Sequence, residues 1–280
     1  MNMELSVDVA KCVKCGRCVA DCNPRALERS ASGMPQWSKE GRDRCCHCQH
    51  CLAICPTGAL SIFGNDPSDA EEVRAVPASD DLLNLIKRRR SYRSYRPEGI
   101  DRGTMTKLKS MLAWVPTGCN DHRLFFGFID DAKVMAEFRR DFLAALLRLI
   151  ESDAPGSERF TRYRQRLVDG EDVIFRGAPH MVLACTPADA PCADVDPVIA
   201  LSYFELYAQS LGVGTLWCGL FKWALAVMPE FLGRFGVPEG YLPGYAMMFG
   251  ASGLDYRRGT LPAPILTSSM GAVDAGRAGK

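Results

Sequence analysis

The 280-residue chain has no excess of charge of either sign: 34 Lys and Arg stand against 33 Asp and Glu, a formal net charge of +1. Nothing global therefore recommends nucleic acid or a membrane surface as a partner, and specificity has to come from local sites. Long apolar runs are also missing. The stretch "FLAALLRLI" is broken by Arg148, well short of the ~18 apolar residues a membrane span needs. The opening "MNMELSVDVAKC" lacks the basic segment and apolar stretch of a secretory signal. These absences predict a soluble, cytoplasmic protein. C-x-x-C-H does not occur, so covalent haem is not indicated. A dinucleotide fingerprint is absent too, because "GVGTLWCG" (212–219) precedes an expected strand instead of joining strand to helix.

What the chain does have is cysteine, 13 of them, in a hydrophobic content of 47% that suits a globular protein of about two domains. A reducing compartment keeps thiols free, which favours metal ligation over disulfides. Cys12, Cys15, Cys18 and Cys22 follow C-x-x-C-x-x-C-x-x-x-C, and Cys45, Cys48, Cys51 and Cys55 repeat that spacing 33 residues later, the last followed by Pro56. Three thiolates in a tight loop take three corners of an iron–sulfur cube, while the fourth cysteine, leaving along the next helix, points at the other cluster. The expected sets are Cys12, Cys15, Cys18 with Cys55, and Cys45, Cys48, Cys51 with Cys22. The rival is a pair of tetrahedral zinc sites, normally built from C-x-x-C knuckles on a longer loop; the triplet spacing fits two [4Fe–4S] clusters better.

"VDVAKCVKCGRCVADCNPRAL" and "CLAICPTGAL" resemble the two half-repeats of bacterial-type ferredoxins, with "CNP" in the first repeat where that family usually has "CP". Cys46 lies off the three-residue ladder and reads as a small residue beside the cluster. With eight cysteines accounted for, His47 and His50 are left as donors to cluster sulfur or as solvent-facing residues. A module of residues 1–64 follows, which clusters would cross-link into a fold. The polar, acidic "NDPSDAEEVRAVPASDD" then reads as a linker, 65–80.

From 81 the pattern becomes α+β. Helices are expected at 81–90, 101–114 capped by Asp101, 131–151 capped by Asp130 or Asp131, 157–168, and 196–211 opening at Asp196-Pro197. Strands are expected at 124–129, 180–186, 215–221 and 245–251. "KRRRSYRSYRP" (87–97) would be a solvated charge run by composition alone. Its place after a short helix and before an extended, proline-limited stretch lets guanidinium forks and a serine hydroxyl converge on a phosphate instead.

"RRSYR" (89–93), "PTGCN" (116–120), "SLGVGTLWCG" (210–219) and "DYRRGTLP" (255–262), in this order, resemble the nitroreductase family of flavin enzymes over residues 81 to about 262. The resemblance implies a central sheet flanked by helices in an intertwined homodimer that binds FMN, in a domain of residues 81–265 followed by a tail, 266–280. It implies that Arg89, Arg90, Ser91 and Arg93 meet the FMN phosphate and pyrimidine edge, and that Thr117 and Asn120 meet the ring or ribityl chain. Gly212, Gly214 and Thr215 would lie against the ring, and Arg257 or Arg258 would return to the phosphate. Thr117 replaces the family's usual serine, and His122, followed by Arg123 and Leu124, stands where "Q-P-W" is common. His122 reads either as a proton donor to substrate or as a hydrogen-bonded loop histidine. Cys119, Cys185, Cys192 and Cys218 read as core or turn thiols, because nothing in the sequence supplies an activating base.

Iron–sulfur clusters move single electrons, whereas a nitro group, quinone or activated alkene takes pairs, and a flavin converts between the two. The expectation is an iron–sulfur flavoprotein oxidoreductase passing electrons from an external ferredoxin or other one-electron donor through two clusters to FMN and on to a small planar acceptor. NAD(P)H as donor is not excluded, since nicotinamide can stack on flavin without a fingerprint motif. Alternatives are an oxygen-using or dehalogenating enzyme of the same fold, and an electron-transfer partner without its own small substrate.

Overall fold

The computed structural model describes residues 3–72 and 74–269. Most of the expected tail, residues 270–280, lies outside the described residues.

The cysteine-rich part contains β1 (Leu5–Val7), α1 (Arg17–Ala20), β2 (Leu27–Arg29), β3 (Pro35–Trp37), α2 (Gly41–Arg44), α3 (His50–Ala53) and β4 (Leu60–Ile62). β1 pairs antiparallel with β4, and β2 with β3. The sequence repeat is also a conformational repeat: α1 and α3 are one-turn helices 33 residues apart. Left-handed backbone recurs at the same offset, at Lys14 and His47, Gly16 and Gln49, and Arg25 and Gly58. At Gly16 the left-handed φ of 73° and the Arg29 guanidinium packed over the Cα both exclude a side chain. The apolar core here is small, built on Cys18, Leu27, Leu52, Leu60 and Ile62. So little buried surface does not hold a module of this size unless something else cross-links it.

After a 3-10 turn at Pro67–Asp69 come α4 (Ser79–Arg88), α5 (Arg102–Ser110), β5 (Phe125–Ile129), α6 (Ala132–Glu151), α7 (Arg164–Val168), β6 (His180–Pro187), α8 (Asp196–Ser210), β7 (Val213–Trp217), α9 (Gly219–Leu225) and β8 (Tyr241–Ala251). Four strands form an antiparallel sheet in the order β5-β6-β8-β7. β6 is buried along its whole length because both faces are covered. Met181, Leu183 and Cys185 enter the core beneath α6, and Val182 and Ala184 enter the one beneath α8. That alternation is the period-2 geometry of a strand between two helical layers. α6 buries Met135, Phe138, Phe142, Leu146 and Ile150, one stripe at helical spacing.

Five expectations need correction, among them the strand expected at 245–251, which begins four residues earlier at Tyr241. The expected strand 215–221 begins two residues earlier and stops at Trp217. Phe221, Ala224 and Leu225 are buried at i, i+3 and i+4, so the "GLFKWAL" segment continues as α9. The expected helix 157–168 is α-helical only over α7, preceded by a 3-10 turn at Thr161–Tyr163, because turns at Ser157 and Phe160 carry Phe160 into the core. The helix expected to reach 114 is α-helical to Ser110 and tightens to 3-10 over Met111–Trp114. α4 begins at Ser79, inside the stretch expected to be linker.

Candidate functional site

Two cavities in the cysteine-rich part are each lined by four cysteines of the spacing pattern. One, with about 370 Å³ of atom-free space, is lined by Cys12, Cys15, Cys18 and Cys55; the other, about 350 Å³, by Cys22, Cys45, Cys48 and Cys51, with Cys46 alongside. The fourth cysteine of each repeat has thus crossed to the other repeat's loop, as the pseudo-symmetry of α1 and α3 requires. Among the described residues no three His, Cys, Asp or Glu side chains converge as they would on a single metal ion. Four sulfurs spread around a cavity at three-residue spacing suit a cubane cluster better than a zinc tetrahedron.

Burial pushes the Cys51 thiol up to about 12, and Cys48, Cys45 and Cys18 push in the same direction, so this sulfur lies near members of both quartets. Burial likewise raises Cys18 and Cys45, with Cys55 and Cys22 among their respective neighbours. Cys55 goes the other way. Burial opposes its thiolate, but N–H donors, among them Ala59 N at 3.2 Å from Sγ, outweigh it. Arg29 fastens the first loop by donating to the Cys15 and Lys14 carbonyls at 3.0 and 3.3 Å. The His47 ring packs on Phe63 at 4.7 Å and the His50 ring meets Asp21 at 3.3 Å, while the backbone N–H groups of the two residues donate to the Cys45 and Cys48 sulfurs.

The arginine segment leaves α4 and runs beside β7, with Ser91 bridged to Thr215 in parallel and Tyr92 N donating to Thr215 O at 2.8 Å. The basic C-terminal segment returns to it: Arg90 Nη2 reaches the Arg258 carbonyl at 3.5 Å, and the Tyr92 and Tyr256 rings meet edge to face at 5.4 Å. Arg89, Arg90, Ser91, Arg93 and Arg258 are thereby gathered in one region, with Arg257 adjacent in sequence. Guanidinium forks beside a serine hydroxyl suit a phosphate monoester.

Behind this segment lie two residues that the sequence reading missed. Glu205, on α8 and only 6% exposed, accepts from Trp217 Nε1 at 3.0 Å, Thr215 Oγ1 at 3.2 Å and Arg89 Nη1 at 3.4 Å. Gln209, one turn on, bonds both the N–H and the carbonyl of Arg90 and donates to Thr215 Oγ1. The available signal was a polar pair at i and i+4 on an otherwise apolar helix just before "GVGT". Thr215, expected against a flavin ring, is fully buried with its hydroxyl turned to these two residues. Gly214 lies under the Tyr92 ring, where a Cβ would approach Cγ to 2.7 Å, and Gly212 is exposed in a left-handed turn.

The turn after α5 brings Thr117, Asn120 and His122 together. Thr117 Oγ1 accepts from His122 N and Asn120 Oδ1 meets His122 Nε2, both at 2.9 Å. Cys119, Asn120 and His122 all adopt left-handed backbone, anchored by Gly118 N donating to the buried Asp196 at 2.9 Å. Asn120 Nδ2 donates in turn to the Cys46 carbonyl at 3.1 Å, joining this turn to the cysteine-rich part. Cys185 and Cys218 are buried, with thiols pushed up to about 12 by that burial, which suits core residues and not nucleophiles.

A sequence profile of the 4Fe-4S dicluster domain matches residues 11–59, and one of the nitroreductase family matches residues 86–251. An uncharacterized ferredoxin of Methanocaldococcus jannaschii is 31% identical over 72 residues, which are 26% of this chain and 94% of that protein. Among solved structures, an FMN-bound nitroreductase from Bacteroides fragilis superposes with a TM-score of 0.56 at 20% identity, over 68% of this chain and 99% of that one. An FMN-bound nitroreductase from Desulfitobacterium hafniense gives 0.54 at 24%, over 68% and 98%. These likenesses share the fold, and among the described residues no helix is long and apolar enough to cross a membrane. With the family profile spanning more than half of its length and a 4Fe-4S dicluster domain ahead of it, the chain belongs to the nitroreductase family and is an FMN-dependent iron–sulfur flavoprotein oxidoreductase.

Proposed function

We propose that this protein takes electrons singly from a low-potential donor such as a reduced ferredoxin and delivers them in pairs to a small planar acceptor, a nitroaromatic, quinone or activated alkene. The observation that carries this reading is the pair of cavities, each lined by four cysteines of the repeated spacing, in one chain with a nitroreductase fold. When bound, two [4Fe–4S] clusters supply one-electron transfer and FMN supplies two-electron reduction. Cys12, Cys15, Cys18 and Cys55 hold one cluster, and Cys22, Cys45, Cys48 and Cys51 hold the other. Arg89, Arg90, Ser91 and Arg93, with Arg257 or Arg258, hold the FMN phosphate; Thr117 and Asn120 flank the flavin, and the exposed Gly212 leaves room beside it, whereas Gly214 makes room for the Tyr92 ring. Thr215 acts from behind, tying Glu205 and Gln209 to the strand. His122, exposed and with Nε2 committed to Asn120, keeps Nδ1 for passing a proton to the acceptor.

The working form is a homodimer in a reducing, cytoplasmic setting. α4 supports the dimer: it buries no residue, and Leu82, Leu83 and Ile86 remain 46%, 45% and 46% exposed along one side. In the test, Cys51→Ala abolishes flavin reduction by reduced ferredoxin while FMN stays bound and dithionite still bleaches it. Normal turnover of that variant with the ferredoxin donor would overturn the relay.

A further inference from the structure

Asn120 stands where the two parts of the chain meet, and its hydrogen bonds fix its orientation. The Cys46 carbonyl can only accept, so the atom facing it at 3.1 Å is the amide nitrogen, and the amide oxygen is left to accept the Nε2–H of His122 at 2.9 Å. The turn that presents this amide is held at several points. Asp196, buried at 2% exposure, takes Gly118 N, Thr117 Oγ1 takes His122 N, and Cys192 packs so closely on Gly118 that a Cβ there would collide with its sulfur. Asparagine is among the few side chains that tolerate the left-handed φ of 58° this position imposes.

On the other side, Cys46 belongs to only one of the two cavities, the one lined by Cys22, Cys45, Cys48 and Cys51, and is bonded in sequence to Cys45. The other quartet lines a separate cavity to which neither Cys46 nor the 117–122 turn contributes.

We propose that the Asn120 amide is the latch that seats the cysteine-rich part on the flavin domain, and that the Cys22, Cys45, Cys48, Cys51 cluster is the one that passes electrons to the flavin. The Cys12, Cys15, Cys18, Cys55 cluster is then the entry point for the external one-electron donor. This rests on the reading that the chain holds both clusters and FMN. Each transfer oxidises the latched cluster by one electron and reduces the flavin by one. Two transfers, with two protons taken from solvent, complete the pair, and the external donor restores the clusters. Asn120 is a positioning residue for this path: its N–H spans the gap from the peptide next to a ligand sulfur to a turn of the flavin domain.

The experiment uses anaerobically purified holoprotein and Asn120→Asp, which keeps an oxygen for His122 and tolerates the left-handed backbone but replaces the donor with an acceptor facing a carbonyl. Hydrogen exchange read by mass spectrometry should rise at least tenfold in peptides covering 45–51 and 117–122 together. In stopped-flow photoreduction, with the rate taken per bound flavin from the measured FMN content, the flavin should bleach at least tenfold more slowly while both cluster signals stay at wild-type levels. Unchanged exchange at 45–51, or an unchanged bleaching rate, overturns the latch. Asn120→Gln, which keeps the donor on a longer arm, should recover part of the rate; if it behaves like the aspartate variant, the donated hydrogen bond is not what matters. Wild-type protein without iron or flavin would instead overturn the underlying reading, a result visible before any variant is made.

Discussion

At the scale of single residues, Glu205 shows how much of the site rests on side chains that need not touch a cofactor. A buried carboxylate persists only when its lone pairs are satisfied, and here an indole, a hydroxyl and a guanidinium satisfy them. Glu205→Gln removes the charge facing Arg89 and turns an amide N–H toward a group that is itself a donor. We predict a loss of about 1.5–3 kcal/mol, the range for hydrogen bonds to a charged group, read as a lower urea midpoint at unchanged slope, together with weaker FMN binding. Unaltered stability would mean that the carboxylate supports only the arginine. This residue was not legible beforehand, because a glutamate in "SYFELYAQS" reads as a surface position until α8 is seen to bury it. The cysteines were legible because their spacing is itself the chemistry: three-residue steps set three sulfurs around a loop whatever the rest of the chain does.

At the scale of elements, α6 separates what sequence can specify from what packing decides. The cap was legible as Asp130 or Asp131; it is Asp131, which accepts from the N–H groups of Val134 and Lys133, and these hold its carboxyl below the usual carboxylate range. A depressed folded-state pKa gives stability that is fully present above the unfolded value of about 4 and is lost as pH falls through the folded one. Asp131→Ala should therefore lower the melting temperature at neutral pH and narrow the gap to wild type as the pH drops toward the acid limb; a gap that widens in acid would contradict the cap.

Further along the helix, Phe142 is fully buried with four rings around it, Phe231 at 4.7 Å and Phe221 at 5.0 Å being nearest. Phe142→Ala should cost about 3–5 kcal/mol, measured by denaturant unfolding; a loss under 1 kcal/mol would show that the core collapses into the space. The rings facing it from α9 and the following 3-10 turn were the part that sequence did not deliver. "TLWCGLF" carries both β-propensity and, past Cys218, a helical period, and only the pairing of Cys218 N with Ala246 O marks where one gives way to the other.

At the scale of the whole molecule, two unlike modules depend on different forces. The flavin domain is held by two apolar cores on either side of a four-stranded sheet. The cysteine-rich part has five buried apolar residues at its centre and two cavities ringed by sulfur, so its stability follows from metal as well as from burial. Both modules could be read from motif spacing, since each motif sits on a loop whose residue types are set by what it must hold. Their contact through Asn120 and Cys46 could not, because nothing in either segment's sequence names the other. The measurement that bears most directly on the account is the visible spectrum of anaerobically purified protein with iron, sulfide and flavin counted per chain. Two cubane clusters and one flavin require about eight iron and one FMN, with broad cluster absorption that bleaches with the flavin bands on reduction; zinc in the cysteine cavities with no flavin would contradict it.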